Sequence, residues 1–123
     1  MNGLQVVSTM YAAVADTGLT GWMDKKPVKE NPKLFFTVAA MTITHYQAIN
    51  RVPVNVNVYS AKTESGLPKR DLLESTMNTV TSAISDLVVS GVYFSAEETI
   101  TTLFLNKDGY DILSKRYDVV VTK

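Results

Sequence analysis

Few side chains here have the type and spacing that chemistry needs. The single histidine, His45, sits in HYQAINR (45–51), and the chain has no cysteine. A lone imidazole without a second His, a Cys or an adjacent acidic pair lacks the partners that a metal site or a general base requires. A surface or hydrogen-bonding role is expected for it. Glu97-Glu98 and Asp108 with Asp111 are the acidic pairs. Adjacent residues on a strand point to opposite faces, so Glu97 and Glu98 could not easily share a ligand. Asp108 and Asp111 flank an Asp-Gly turn, where Asp is common for conformational reasons. Carboxylates alone can hydrolyse glycosides, but neither pair is arranged for it. The absence of cysteine excludes disulfides, thiolate catalysis and cysteine-bound metal clusters. No glycine-rich phosphate loop, GxSxG elbow or HExxH helix occurs. No catalytic residue, metal ligand or cofactor is therefore assigned. The lysines of KKPVKENPK (25–33) could touch phosphate, but Glu30 lies among them and Asp24 just before them, and Pro27 and Pro32 disfavour regular structure. A solvated loop is expected there.

The patterned stretches say more. In RVPVNVNVYSAK (51–62), Val52, Val54, Val56 and Val58 take every second place, with Pro53, Asn55, Asn57 and Tyr59 between them. That is a strand with one dry face. In the following stretch Leu73, Met77, Val80, Ile84 and Leu87 recur at helical spacing. This predicts a long helix reaching about Val89, with Pro68 in its first turn, Asp71 and Glu74 near its positive end, and Gly91 as its cap. Near the start, Leu4, Val7, Met10 or Tyr11, and Val14 predict an amphipathic helix over 3–16, stopped at Gly18. Residues 19–25 read as a short strand or extended loop, with Trp22 in the core or at its edge.

LFFTVAAMTIT (34–44) is rich in aromatic and β-branched residues on both parities. As a strand it would be buried on both faces, or on one face against a partner. The 45–51 stretch interrupts two strands and could form a hairpin tip. Residues 92–96 and 99–105 read as two further strands. Asn106 to Gly109 then form a turn into a last strand in which Tyr117, Val119 and Val121 alternate with Asp118, Val120 and Thr122. The fold class expected is α+β: a two-layer sandwich with an antiparallel or mixed sheet packed against an N-terminal helix and a long central helix.

With 123 residues, 46% apolar and 20% charged, the chain fits one domain with a sizeable core. One domain spanning 1–123 is expected, with no repeat and no low-complexity stretch. Lys plus Arg equals Asp plus Glu at 12 each, which gives no electrostatic reason to expect a nucleic-acid or anionic-membrane partner. No cationic segment precedes the first apolar residues, and no run of about 18 apolar residues occurs, so neither a secretory signal nor a membrane span is expected. The chain reads as complete, without a tag or targeting tail.

Three stretches resemble the tail-terminator and minor tail proteins of long-tailed bacteriophages and related head–tail neck-ring proteins. They are LQVVSTMYAAVADTGLTGWMDKKP, then VPVNVNVYSAKT leading into LLESTMNTVTSAISDL, and the closing RYDVVVTK. The resemblance covers nearly the whole chain but rests on residue classes rather than invariant positions. The loops 25–33 and 45–51 have no counterpart in it. It implies a non-catalytic structural virion protein, assembled in the bacterial host cytoplasm and ending in the virion's tail or neck. It implies a self-assembled ring, hexameric or dodecameric, that contacts tail-tube or head-connector proteins while genomic DNA passes through its lumen without sequence readout.

A closed ring joins two different patches on each subunit. Strand 34–44 and the terminal hairpin are the candidates, through Phe35, Thr37, Ala39, Met41, Ile43, Tyr110, Ile112 and Tyr117. Ordinary core and ordinary sheet edge are the alternative for both. A small-ligand-binding or regulatory α+β module is the other reading of the chain. It requires a pocket with converging polar groups, and the sequence offers no set of them.

Overall fold

The computed structural model describes the chain except residues 1, 42, 47, 64–66, 108 and 123; for 96–102, 106 and 107 it describes the backbone alone. Two helices, α1 (Gly3–Ala15) and α2 (Arg70–Ser85), cover one face of a sheet. Its strands are β1 (Gly21–Met23), β2 (Leu34–Ala40), β3 (Thr44–His45), β4 (Ile49–Ala61), β5 (Val92–Lys107) and β6 (Tyr110–Thr122). The six-stranded sheet runs β1-β2-β4-β6-β5, with β3 paired to β4 off that path. β1 is parallel to β2 and the remaining pairs are antiparallel, so the sheet is mixed. The expected two-layer α+β architecture is present.

Alternation along β4 sets the layers. Val52, Val54, Val56 and Val58 have no exposed surface, and beside them lie Phe36, Val38, Val119 and Val121 from the neighbouring strands. α2 turns Leu73, Met77, Val80 and Ile84 onto this surface, as its spacing predicts. α1 contributes Val6, Val7, Met10 and Val14. Leu4 is 77% exposed, so the stripe expected through it is corrected by one position: the helix begins in an Asn2–Gln5 capping box and turns Gly3 inward. A Cβ at position 3 would collide with the Ile43 side chain, so glycine allows that close approach.

Several boundaries differ from expectation. The strand expected over 34–44 ends at Ala40, and His45 of β3 and the start of β4 at Ile49 fall within the 45–51 stretch expected to interrupt the strands. α2 begins at Arg70, after a Lys69 cap position, which leaves Pro68 just outside the first turn. It ends at Ser85, and Leu87 packs on the core from beyond the helix. Gly91, at φ +74°, serves a turn closed by the Val89–Val92 bridge instead of capping the helix. The two strands expected in 92–105 are one strand, β5, whose register against β6 shifts between Ala96 and Thr101. An irregularity of this kind lets a strand bend without leaving its ladder. The hairpin turn holds Gly109 at φ +82°; Asp108 lies outside the described residues.

Candidate functional site: an aromatic cleft on the uncovered sheet face

Residues that alternate with the core set occupy the second face of the sheet. Phe35 lies opposite Tyr59, and Tyr59 opposite Ile112. Their rings gather at one end of the face. Phe35 and Tyr59 stack at 4.2 Å between centroids, and Tyr110 meets Phe35 edge-on at 5.1 Å. Trp22, on the edge strand β1, meets Phe35 edge-on at 5.6 Å. Such offset and edge contacts suit the ring quadrupoles. Trp22 therefore anchors the second face and is only partly buried.

Among the described residues no helix covers this cluster; the 25–33 loop does. The loop is tied down at both ends. The Asp24 amide donates to the Val38 carbonyl at 2.9 Å, with Asp24 in the left-handed region at φ +69°. At the far end the Ala61 amide donates to the Lys33 carbonyl at 2.8 Å, and the Tyr110 hydroxyl donates to the Pro32 carbonyl at 2.9 Å. Within the loop the Lys26 ammonium donates to the Pro27 and Glu30 carbonyls. Between loop and sheet lies a cleft of about 510 Å³. Phe35, Tyr59, Tyr110 and Ile112 form its apolar side, and Lys25, Lys26, Val28 and Asn31 form its rim.

Farther along the face polar groups mix with Ala39, Val120 and the exposed Tyr93. Asn57 donates to the Thr37 hydroxyl at 3.3 Å, and Arg51 is paired with Asp118. The hydrogen bond to Asp118, and then its negative charge, raise the pKa of the Arg51 guanidinium above the ordinary value. On the helix side, burial pushes the Tyr117 phenol above its ordinary pKa, and the neighbouring Thr81 opposes part of that rise.

The structure separates the sequence-derived interface residues. Phe35, Tyr110 and Ile112 come together at the cleft. Thr37 and Ala39 continue along the same face, with Thr37 only 1% exposed. Met41, past the end of β2, is 45% exposed. Phe35 and Ile112 are 2% and 6% exposed, and Ile43 and Tyr117, contrary to expectation, lie on the other face. Ile43 packs on the helix-side core beside Gly3, and Tyr117 is 3% exposed under α2, because its register opposite Val54 puts it on the valine face. His45 Nδ1 lies 2.9 Å from Asn50 Oδ1 on the surface, the hydrogen-bonding role expected of it. Asp111 is buried opposite Ser60; Asp108 and the Glu97 and Glu98 side chains lie outside the description.

Among the described residues no three His, Cys, Asp or Glu side chains gather as a metal site, and no helix is long and apolar enough to cross a membrane. The cleft lining contains no carboxylate, imidazole or aliphatic hydroxyl. What it offers is an apolar floor with a cationic rim, which is chemistry for binding. The sequence matches no protein-family model, and no curated protein matches it significantly.

Sequence reasoning placed Phe35, Tyr110 and Ile112 in a surface patch but missed Lys25, Lys26, Val28, Asn31 and Tyr59. Tyr59 carried a usable signal: it shares parity with Asn55 and Asn57, so it had to lie on the second face. The loop carried none. Its composition is that of a solvated segment, and what fixes it over the rings is long-range hydrogen bonding from Val38, Ala61 and Tyr110.

Proposed function

We propose that this chain is a non-catalytic structural subunit of a bacteriophage ring at the head–tail junction or the tail end. It would act as a tail terminator or neck connector. The observation that carries the reading is the sheet face turned away from the helices, which joins an aromatic cleft to a second, mixed patch around the Arg51–Asp118 pair on a single subunit. Two unlike patches on one subunit are what a heterologous, ring-closing contact requires. The likeness in residue pattern to tail terminators points the same way. In this reading the subunit self-associates, six or twelve to a ring, and docks on tail-tube or head-connector proteins in the virion. DNA passes through the lumen without base readout. Zero formal net charge suits that passage, because a strongly basic lumen would hold DNA through many phosphate contacts.

A second reading, a small-ligand-binding or regulatory module, draws on the cleft itself, where Lys25, Asn31 and the tyrosines converge on an apolar floor. The two part on mass. Light scattering after size exclusion, run over a concentration series, is expected to give a discrete species of six or twelve subunits, alone or on added tail tubes. A monomer at every concentration that tail tubes and connectors fail to recruit would overturn the ring reading. Saturable ligand binding by that monomer would favour the module.

A further inference from the structure

We propose that the cleft is a socket for the 86–91 turn of a second copy of this chain, with Val88 seated on the aromatic floor and Asp86 against the lysine rim. This rests on the ring reading and names the contact that builds the ring. The turn is unusual for what it holds out. Val88 is 94% exposed, although both of its neighbours, Leu87 and Val89, pack on the core. The segment around it is fixed. Leu87 N donates to the Ile84 carbonyl, Val92 N to the Val89 carbonyl, and both the amide and the hydroxyl of Thr122 donate to the Gly91 carbonyl. An apolar side chain presented on a held backbone loses little freedom on docking.

Exposure and charge together favour this peg: Met23 and Leu72 also have acids beside them, Asp24 and Asp71, but they are only 45% and 36% exposed. Asp86, itself exposed, lies two residues before Val88, and the socket rim carries Lys25 and Lys26. Leu67 is also well exposed, but Lys69 and Arg70 follow it and would be repelled by the same rim. Leu4 has no acid near it, between Asn2 and Gln5. Phe104 lies opposite Ile112, at the socket itself. Peg and socket also sit at opposite ends of the strands. The turn is bonded to Thr122 and the cleft lies at Tyr110 and Ile112, so about ten residues of β6 separate them, roughly 33 Å at about 3.3 Å per residue. One copy therefore cannot fill its own socket. The contact is head-to-tail, the kind that closes a ring or runs on as a filament.

The chain has no cysteine, so engineered cysteines are the only thiols that can cross-link. Val28 on the cleft lip is 90% exposed, and Val28→Cys with Val88→Cys changes two surface side chains. Under a mild copper oxidant an equimolar mixture of the two single variants is expected to give a denaturation-resistant dimer, and the double variant a ladder of covalent multimers, while either single variant alone stays monomeric. Val88→Asp is expected to raise the concentration needed for assembly at least about tenfold without changing the melting temperature. Lys25→Glu and Asp86→Lys should each weaken assembly, and the two together should restore it. Full assembly of the wild type by light scattering, with no ladder and no effect of Val88→Asp, would overturn this contact and leave the ring reading standing. No assembly under any condition would overturn both.

Discussion

The two faces of β4 are built from one run of residues and have opposite fates. On one side Val52, Val54, Val56 and Val58 lie under two helices with no exposed surface. On the other side Pro53, Asn55, Asn57 and Tyr59 are only half-buried, with the 25–33 loop over Tyr59. The valine face is sealed by broad apolar stripes whose burial provides most of the driving force for folding. The second face is sealed at one end by rings and a hydrogen-bonded loop, and it leaves a cleft. The contrast separates what the fold needs from what is left for another molecule to use.

Substitutions on the two faces should differ in kind. Phe36→Ala, on the valine face with no exposed surface, is expected to cost the most, about 3–5 kcal/mol in denaturant unfolding. Tyr59→Ala, on the second face, removes the stacking partner of Phe35 and should cost less, about 1–2 kcal/mol. It should abolish assembly in light scattering while the monomer stays folded. Equal losses of stability at the two positions would break the contrast.

Tyr117 sharpens the comparison through pH. Its pKa is raised in the folded state, so the folded chain keeps the phenolic proton to higher pH than the unfolded chain does. The associated stability is intact below the ordinary tyrosine value of about 10 and is lost as pH rises through the folded value. Tyr117→Phe should flatten that alkaline fall in thermal unfolding. It should change neutral-pH stability by less than about 1 kcal/mol, since the buried hydroxyl makes no hydrogen bond of good geometry. The smallest effect is expected on the polar part of the second face. Asp118→Ala breaks the pair with Arg51, whose side chain is 48% exposed, and chemical denaturation should barely register it.

The valine alternation and the α2 stripe were legible because a strand and a helix each repeat their burial with a fixed period. They led directly to the layers, to the fold class and to the core positions of Leu73, Met77, Val80 and Ile84. The same periods misplaced Leu4, because α1 carries apolar residues on several faces and its capping box set the phase. The residues proposed for an interface were sorted between the two faces only by parity. Phe35 and Ile112 proved to share the second face, while Tyr117 fell to the core through its register with Val54. The rim of the cleft was not legible, because a loop's position is fixed by distant bonds and not by its own pattern.

Electron microscopy of the purified assembly tests the central claim most directly. Closed rings of uniform subunit number with an open lumen are the predicted result, and they should vanish with Val88→Asp. Compact dimers, open filaments, or no assembly even with tail tubes present would contradict it.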